Sequence, residues 1–127
     1  MRGERGEQEV FRFQKLDVWH KAVEFADFVY EKTRNFPSEE RFGLTSQIRR
    51  AVVSVSSNIA EGSSRTSRRD FSRFIEIAYG SLMEVVSQIH IAHRQSFMQK
   101  SDFSAIIEKA NELARMLSGF KAGLSKD

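Results

Sequence analysis

The stretch FSRFIEIAYGSLMEVVSQIHIA, residues 71–92, decides the fold. In it Phe71, Phe74, Ile75, Ala78, Leu82, Val85, Val86, Ile89 and Ala92 keep helical spacing, marking one face of an α-helix for about six turns. Gly80 interrupts the run at a cost of about 1 kcal/mol relative to alanine. A residue that small predicts close approach of a neighbouring helix. A long amphipathic helix must bury its stripe against other elements, and the flanking sequence supplies three more of the same kind.

Upstream, Ser67-Arg68-Arg69-Asp70 is a variant of the capping box that starts this helix, preceded by a polar loop over residues 63–67. Leu44, Ile48, Ala51, Val52, Val55 and Ile59 mark an earlier helix. Thr45 or Ser46 is its expected cap, and Gly62 is expected in the left-handed position after its end. Residues 36–43 hold the chain's one proline, Pro37, which forces the preceding residue out of helical geometry. A first helix over about residues 16–35 then carries Trp19, Ala22, Val23, Ala26, Val29 and Tyr30. Downstream, Ser101-Asp102 opens a fourth helix with Phe103, Ile106, Ile107, Ala110, Leu113, Ala114, Leu117 and Phe120 on its seam, ending toward Gly119 or Gly123. Residues 1–12 (MRGERGEQEVFR) mix charges with glycine and read as a flexible charged arm. The expected fold is all-α, an antiparallel up-and-down four-helix bundle in one domain over residues 13–124.

The 127 residues are 40% hydrophobic and 29% charged, which suits one compact core and excludes a second. Apolar runs stop at three residues, as in residues 28–30 and 51–53, so neither a membrane span nor a secretory leader is expected, and the expected address is the cytoplasm. Zero cysteines remove disulfides, thiolate metal sites and thiol nucleophiles. A carboxylate di-metal site in a bundle needs Glu-x-x-His, but Tyr79 and Ser87 follow Glu76 and Glu84 at that spacing. The three histidines are His20, His90 and His93. The pair His90 and His93, one turn apart, lacks a carboxylate on the same turn and suits a polar rim or a subunit contact better than a metal. Small helical ribonucleases of the HEPN type carry an arginine shortly before a histidine, whereas Phe13, Gln14 and Lys15 occupy those positions before His20. No Ser, His and acid arrangement with a nucleophile elbow occurs. Neither enzyme activity, nor a metal, nor a cofactor is expected.

The charge distribution is more informative. Between Arg41 and Arg73 stand seven arginines, no lysine, and only Glu61 and Asp70, a local balance of +5 in a chain of +3. Arginine forks pair with phosphate or carboxylate, so the stripe suits nucleic acid or an acidic protein surface; it equally suits ion pairs within or between subunits. On the second helix Ser46, Arg50, Ser54, Ser57 and Glu61 share a face, which is neither a core seam nor an ordinary solvent face. Small hydroxyls there favour close packing against another subunit over a ligand site.

Phe42-Gly43-Leu44-Thr45-Ser46-Gln47-Ile48-Arg49-Arg50-Ala51 with Ser57-Asn58-Ile59-Ala60-Glu61-Gly62 resembles the four-helix family of 23S rRNA intervening-sequence proteins, also labelled S23. Leu16-Asp17-Val18-Trp19, Phe36-Pro37 and Phe74-Ile75-Glu76-Ile77-Ala78-Tyr79-Gly80-Ser81 extend the resemblance over residues 13 to about 120. It implies a cytoplasmic bacterial protein that assembles as a homopentamer, encoded in some bacteria within an rRNA gene insertion. The family is similar to the accessory variability protein of diversity-generating retroelements, a pentamer that binds nucleic acid and a reverse transcriptase, which adds a protein partner to the expectations. His93-Arg94-Gln95-Ser96-Phe97 departs from the family's frequent Leu-Gly-Tyr turn.

The expected function is therefore a non-enzymatic, oligomeric nucleic-acid-binding protein with structured RNA as the favoured ligand. Phe71 and Phe74 belong to the core seam, so the stripe lacks exposed aromatic residues among its arginines and predicts backbone recognition. Arg65, Arg68, Arg69 and Arg73, in the loop and first turns, are the expected phosphate contacts; Arg49 and Arg50 are candidates expected to be locked in ion pairs. Asn58 and Glu61 are expected to hold the end of the second helix. The alternative is a homo-oligomeric scaffold without direct nucleic-acid binding, which burial of most of these arginines in ion pairs would favour.

Overall fold

The computed structural model describes residues 9–125. Among them are four α-helices, α1 (Asp17–Lys32), α2 (Leu44–Ser63), α3 (Arg68–Arg94) and α4 (Lys100–Leu124), with 3-10 turns at Arg12–Lys15 and Ser38–Glu40 and no strand. Most of the expected charged arm, residues 1–8, lies outside the described residues. Arg12 already belongs to a folded turn: its guanidinium donates to the Ser63 carbonyl at 3.0 Å and lies over the Phe71 ring. No helix among the described residues is long and apolar enough to cross a membrane.

The core is built from one stripe per helix. Ile48, Val52, Val55 and Ile59 of α2 meet Phe71, Ile75, Leu82 and Ile89 of α3, and Ile106, Leu113 and Leu117 of α4 close over them. Burying each such side chain stabilises the fold by roughly 1.5–3 kcal/mol relative to leaving it in water. On α1 the core face is Val18, Ala22, Phe25 and Val29, a rotation away from the stripe through Trp19, Val23 and Tyr30. Both stripes share Ala22 and Val29. The all-carbon ring of Phe25 takes the centre, while Trp19 and Tyr30, whose rings carry polar hydrogens, sit at the rim.

The helix contacts pin matching ends together. Arg49 near the start of α2 bonds to Thr33 just after α1, and Ser54 of α2 meets Ser81 of α3. Glu76 reaches Lys121 at 2.8 Å, and His90 and His93 lie against Phe103 at 4.9 and 4.3 Å between ring centres. Lys21–Glu112 and Lys32–Asp102 tie α1 to α4.

The helix ends correct several local expectations. α1 stops at Lys32, where the buried Thr33 hydroxyl donates to the Val29 carbonyl at 2.9 Å. Neither Thr45 nor Ser46 caps α2; Gly43 is the N-cap, and the Glu40 carboxylate accepts from the Leu44 N–H at 3.1 Å. Gly62 does not take a left-handed turn, because no described glycine has positive φ and α2 runs through it. A Cβ there would lie 2.7 Å from Phe74 Cβ and 2.9 Å from Phe71 Cδ1, so glycine is required by close packing. Gly80, conversely, has open space around it, and no helix approaches it among the described residues. Ser67 does cap α3, accepting from Asp70 N–H at 3.0 Å. At the other end Ser96 has φ 65°, with Phe97 N–H donating to the Ala92 carbonyl and Ser96 N–H to that of His93. This is a Schellman ending, with serine where a glycine would be free of strain.

Candidate nucleic-acid interface

α2 divides the arginine stripe into two groups, separated by about 20 Å of helix at 1.5 Å per residue. At the α2–α3 connection all four predicted phosphate contacts are exposed, but they differ in what holds them. Arg65 pairs with Glu61 at 3.0 Å and lies over the Phe74 ring. Arg68 crosses to the end of α4 and donates to the carbonyls of Gly123 at 2.8 Å and Leu124 at 3.1 Å. Its cation thereby sits at the negative end of one helix dipole, offsetting its unfavourable place at the start of α3. Arg69 and Arg73 make no ion pair or hydrogen bond among the described residues. The Glu76 carboxyl is held below the ordinary carboxylate range by the hydrogen bond and charge of Lys121, with a smaller contribution from Arg73.

At the other end, neither Arg49 nor Arg50 is locked in an ion pair among the described residues. Arg49 is anchored by neutral partners: its Nε donates to Thr33 Oγ1 at 3.1 Å, its Nη2 to the Tyr30 carbonyl at 3.2 Å, and its guanidinium lies 4.6 Å from the Tyr30 ring centre. Arg50 is exposed and makes no hydrogen bond or ion pair among the described residues. These residues line an open groove of about 670 Å³ with Tyr30, Arg41, Phe42, Thr45, Ser46, Val53, Ser54 and Ser57. Its charged lining residues are all arginine.

This groove corrects the expectation that the stripe lacks exposed aromatic residues. Phe42 is 90% exposed beside Arg41, whose guanidinium lies 5.5 Å from its ring centre. Phe42 was findable from sequence, since it follows Arg41 in a non-helical connection and belongs to no core stripe. Tyr30 was hidden by its helical spacing with the α1 seam.

The small polar face of α2 also separates. Ser54 and Asn58 turn toward α3: Ser54 Oγ lies 2.9 Å from Ser81 Oγ, and Asn58 Nδ2 donates to the Ser54 carbonyl at 2.8 Å and to Ser54 Oγ at 3.0 Å. Gly62 packs on Phe71 and Phe74. Ser46, Arg50, Ser57 and Glu61 stay on the outer side, where Glu61 engages Arg65 rather than Arg50. Among the described residues no three His, Asp or Glu groups gather as a metal site requires.

A comparison with curated proteins returned no match. Among solved structures the chain is similar to a protein of unknown function from the S23 ribosomal protein family of Bacteroides thetaiotaomicron, at 23% identity and TM-score 0.76, covering 82% of this chain and 97% of that one. That likeness concerns the fold. The family model for 23S rRNA-intervening sequence proteins matches residues 14–119, and with that span covering nearly all of the helical core, the chain belongs to the 23S rRNA-intervening sequence protein family.

Proposed function

We propose that this chain is a non-enzymatic nucleic-acid-binding protein of the cytoplasm, built as an antiparallel up-and-down bundle and assembled as a homopentamer, with structured RNA as its ligand. The observation that carries this reading is the state of the arginines. Of the six candidates, Arg65 alone is in an ion pair among the described residues, and none is buried. The alternative, a homo-oligomeric scaffold, would have to neutralise these side chains between subunits, since within the protomer they are largely left unpaired. Arg69, Arg73 and Arg50 lie on the surface outside any ion pair among the described residues, Arg73 within the field of Glu76, and are accessible to phosphate.

Support for assembly comes from the solvent side of α3, where Ile77 and Ile91 are 52% and 47% exposed and Met83 accompanies them. Gly80 lies between them with free space above it, so a neighbouring backbone has room to approach. Five copies would carry about 25 net positive charges in their stripes, ample for sequence-independent phosphate binding.

The test is a binding titration against duplex RNA across salt concentrations. Replacing Arg69 and Arg73 together by glutamine should lower affinity similarly for unrelated sequences and reduce the slope of log K against log salt by about 1–2 per protomer engaged. Light scattering should return about five protomer masses for wild type and variant alike. No RNA binding by the wild type at low salt would favour the protein scaffold, and a stable monomer would remove the multiplication of charge.

A further inference from the structure

We infer that the groove between the end of α1 and the first half of α2 holds a single-stranded stretch of nucleic acid, with Phe42 and Tyr30 as stacking platforms for bases and Arg41 and Arg50 as phosphate contacts. This rests on the nucleic-acid reading above and adds to it a second mode of recognition, distinct from backbone binding by Arg69 and Arg73.

Two observations converge on the groove. Its charge complements phosphate, with three arginines and no carboxylate among the lining side chains. Its aromatic rings are presented outward, Phe42 almost wholly exposed and Tyr30 38% exposed. A single strand presents flat π-faces alternating with anionic phosphates, and base–aromatic stacking is tolerant of sequence. The volume of about 670 Å³ lies within the range of clefts that seat small organic ligands, so a nucleotide with its flanking phosphate fits.

Each aromatic ring already carries an arginine against it, Arg41 at Phe42 and Arg49 at Tyr30. A guanidinium on one face holds the ring and leaves the other face for a base. Arg49 is here a positioning residue: its bonds to Thr33 and to the Tyr30 carbonyl fix the tyrosine rather than reach for a ligand. A second copy of the chain is the competing occupant. In a cyclic pentamer the groove would meet a different face of the neighbouring chain, so the assembled mass of the groove variants distinguishes the two occupants.

Fluorescence anisotropy with an unstructured single-stranded RNA of about ten nucleotides, beside an RNA duplex of matched length, tests the site. Phe42→Ala should lower single-strand affinity about 10-fold and leave duplex affinity within about twofold, whereas Phe42→Trp should retain or strengthen it. Phe42→Leu keeps apolar bulk but no π-face, and should behave like the alanine variant. Arg50→Gln should flatten the single-strand salt dependence by about 0.7. Phe42 is so exposed that these variants do not threaten the fold. Wild-type affinity in Phe42→Ala, or full rescue by leucine, would overturn the site while leaving duplex binding as a sound reading. A change in assembled mass in Phe42→Ala would reassign the face to a second copy of the chain. Absence of binding to either RNA by the wild type would remove the function and this site together.

Discussion

The side of α2 that meets α3 and the side that meets solvent are built from the same small residues, yet one is packed to contact and the other stands open. Toward α3, Gly62 lies beneath two phenylalanines and Ser54 and Asn58 share a hydrogen-bonded cluster with Ser81. Toward solvent, Ser46, Val53 and Ser57 surround Arg50 and lead to Phe42 with nothing over them among the described residues. The first arrangement serves the fold and the second leaves material for a partner. Small side chains alone do not say which, because what matters is whether another helix of the same chain reaches them.

That contrast is sharpest at Gly62. Gly62→Ala should destabilise the protein by about 3 kcal/mol, read from chemical denaturation, because the added methyl meets Phe74 Cβ, which cannot swing away. A loss under 1 kcal/mol would mean that α2 and α3 separate more easily than their packing implies. Next in size, Asn58→Ala should cost about 1–2 kcal/mol through the bonds it makes to Ser54. A double-mutant cycle between Ser54→Ala and Ser81→Ala should give a coupling near 0.5–1 kcal/mol, locating the hydroxyl contact across the helices.

A gain of about 0.5–1 kcal/mol is expected for Ser96→Gly, which relieves the left-handed backbone at the α3 end without touching α2. It also separates the two uses of glycine, since at Ser96 the need is conformational and at Gly62 it is spatial. The smallest effect belongs to the open side of α2: Val53→Ser and Arg50→Gln should each change unfolding free energy by less than about 0.5 kcal/mol. A larger loss for either would show that this side is packed in the assembled protein, and the contrast would fail.

The helices were legible in sequence because a 3.6-residue apolar period survives across each of them. α3 is the strongest case: of its seam residues Phe71, Ile75, Ala78, Leu82, Val85, Ile89 and Ala92 are buried. The centre of α1 was not, since two stripes share Ala22 and Val29 and the chemistry of Phe25 against Tyr30 decides between them. Gly62 was ambiguous because one glycine serves both a helix end and a close contact, and the deciding atoms belong to α3. Arg68 and Arg69 show the same limit for the candidate interface. They are adjacent in sequence, and Arg68 is drawn to the α4 carbonyls by the place where a helix more than fifty residues later happens to finish. The all-arginine character of the stripe was readable; the division of its members between the fold and the solvent was not. Loss of the Leu-Gly-Tyr turn changes the residues of the third connection, while φ at Ser96 keeps the backbone shape a glycine would adopt.

The fit of Gly62 under Phe71 and Phe74 also sets how movement passes through the molecule. Sliding α2 along α3 by one turn, about 5.4 Å, would bring Asn58 to the place where only a hydrogen atom fits. The two helices therefore behave as a keyed shaft, unable to ratchet past each other as interfaces with larger grooves do.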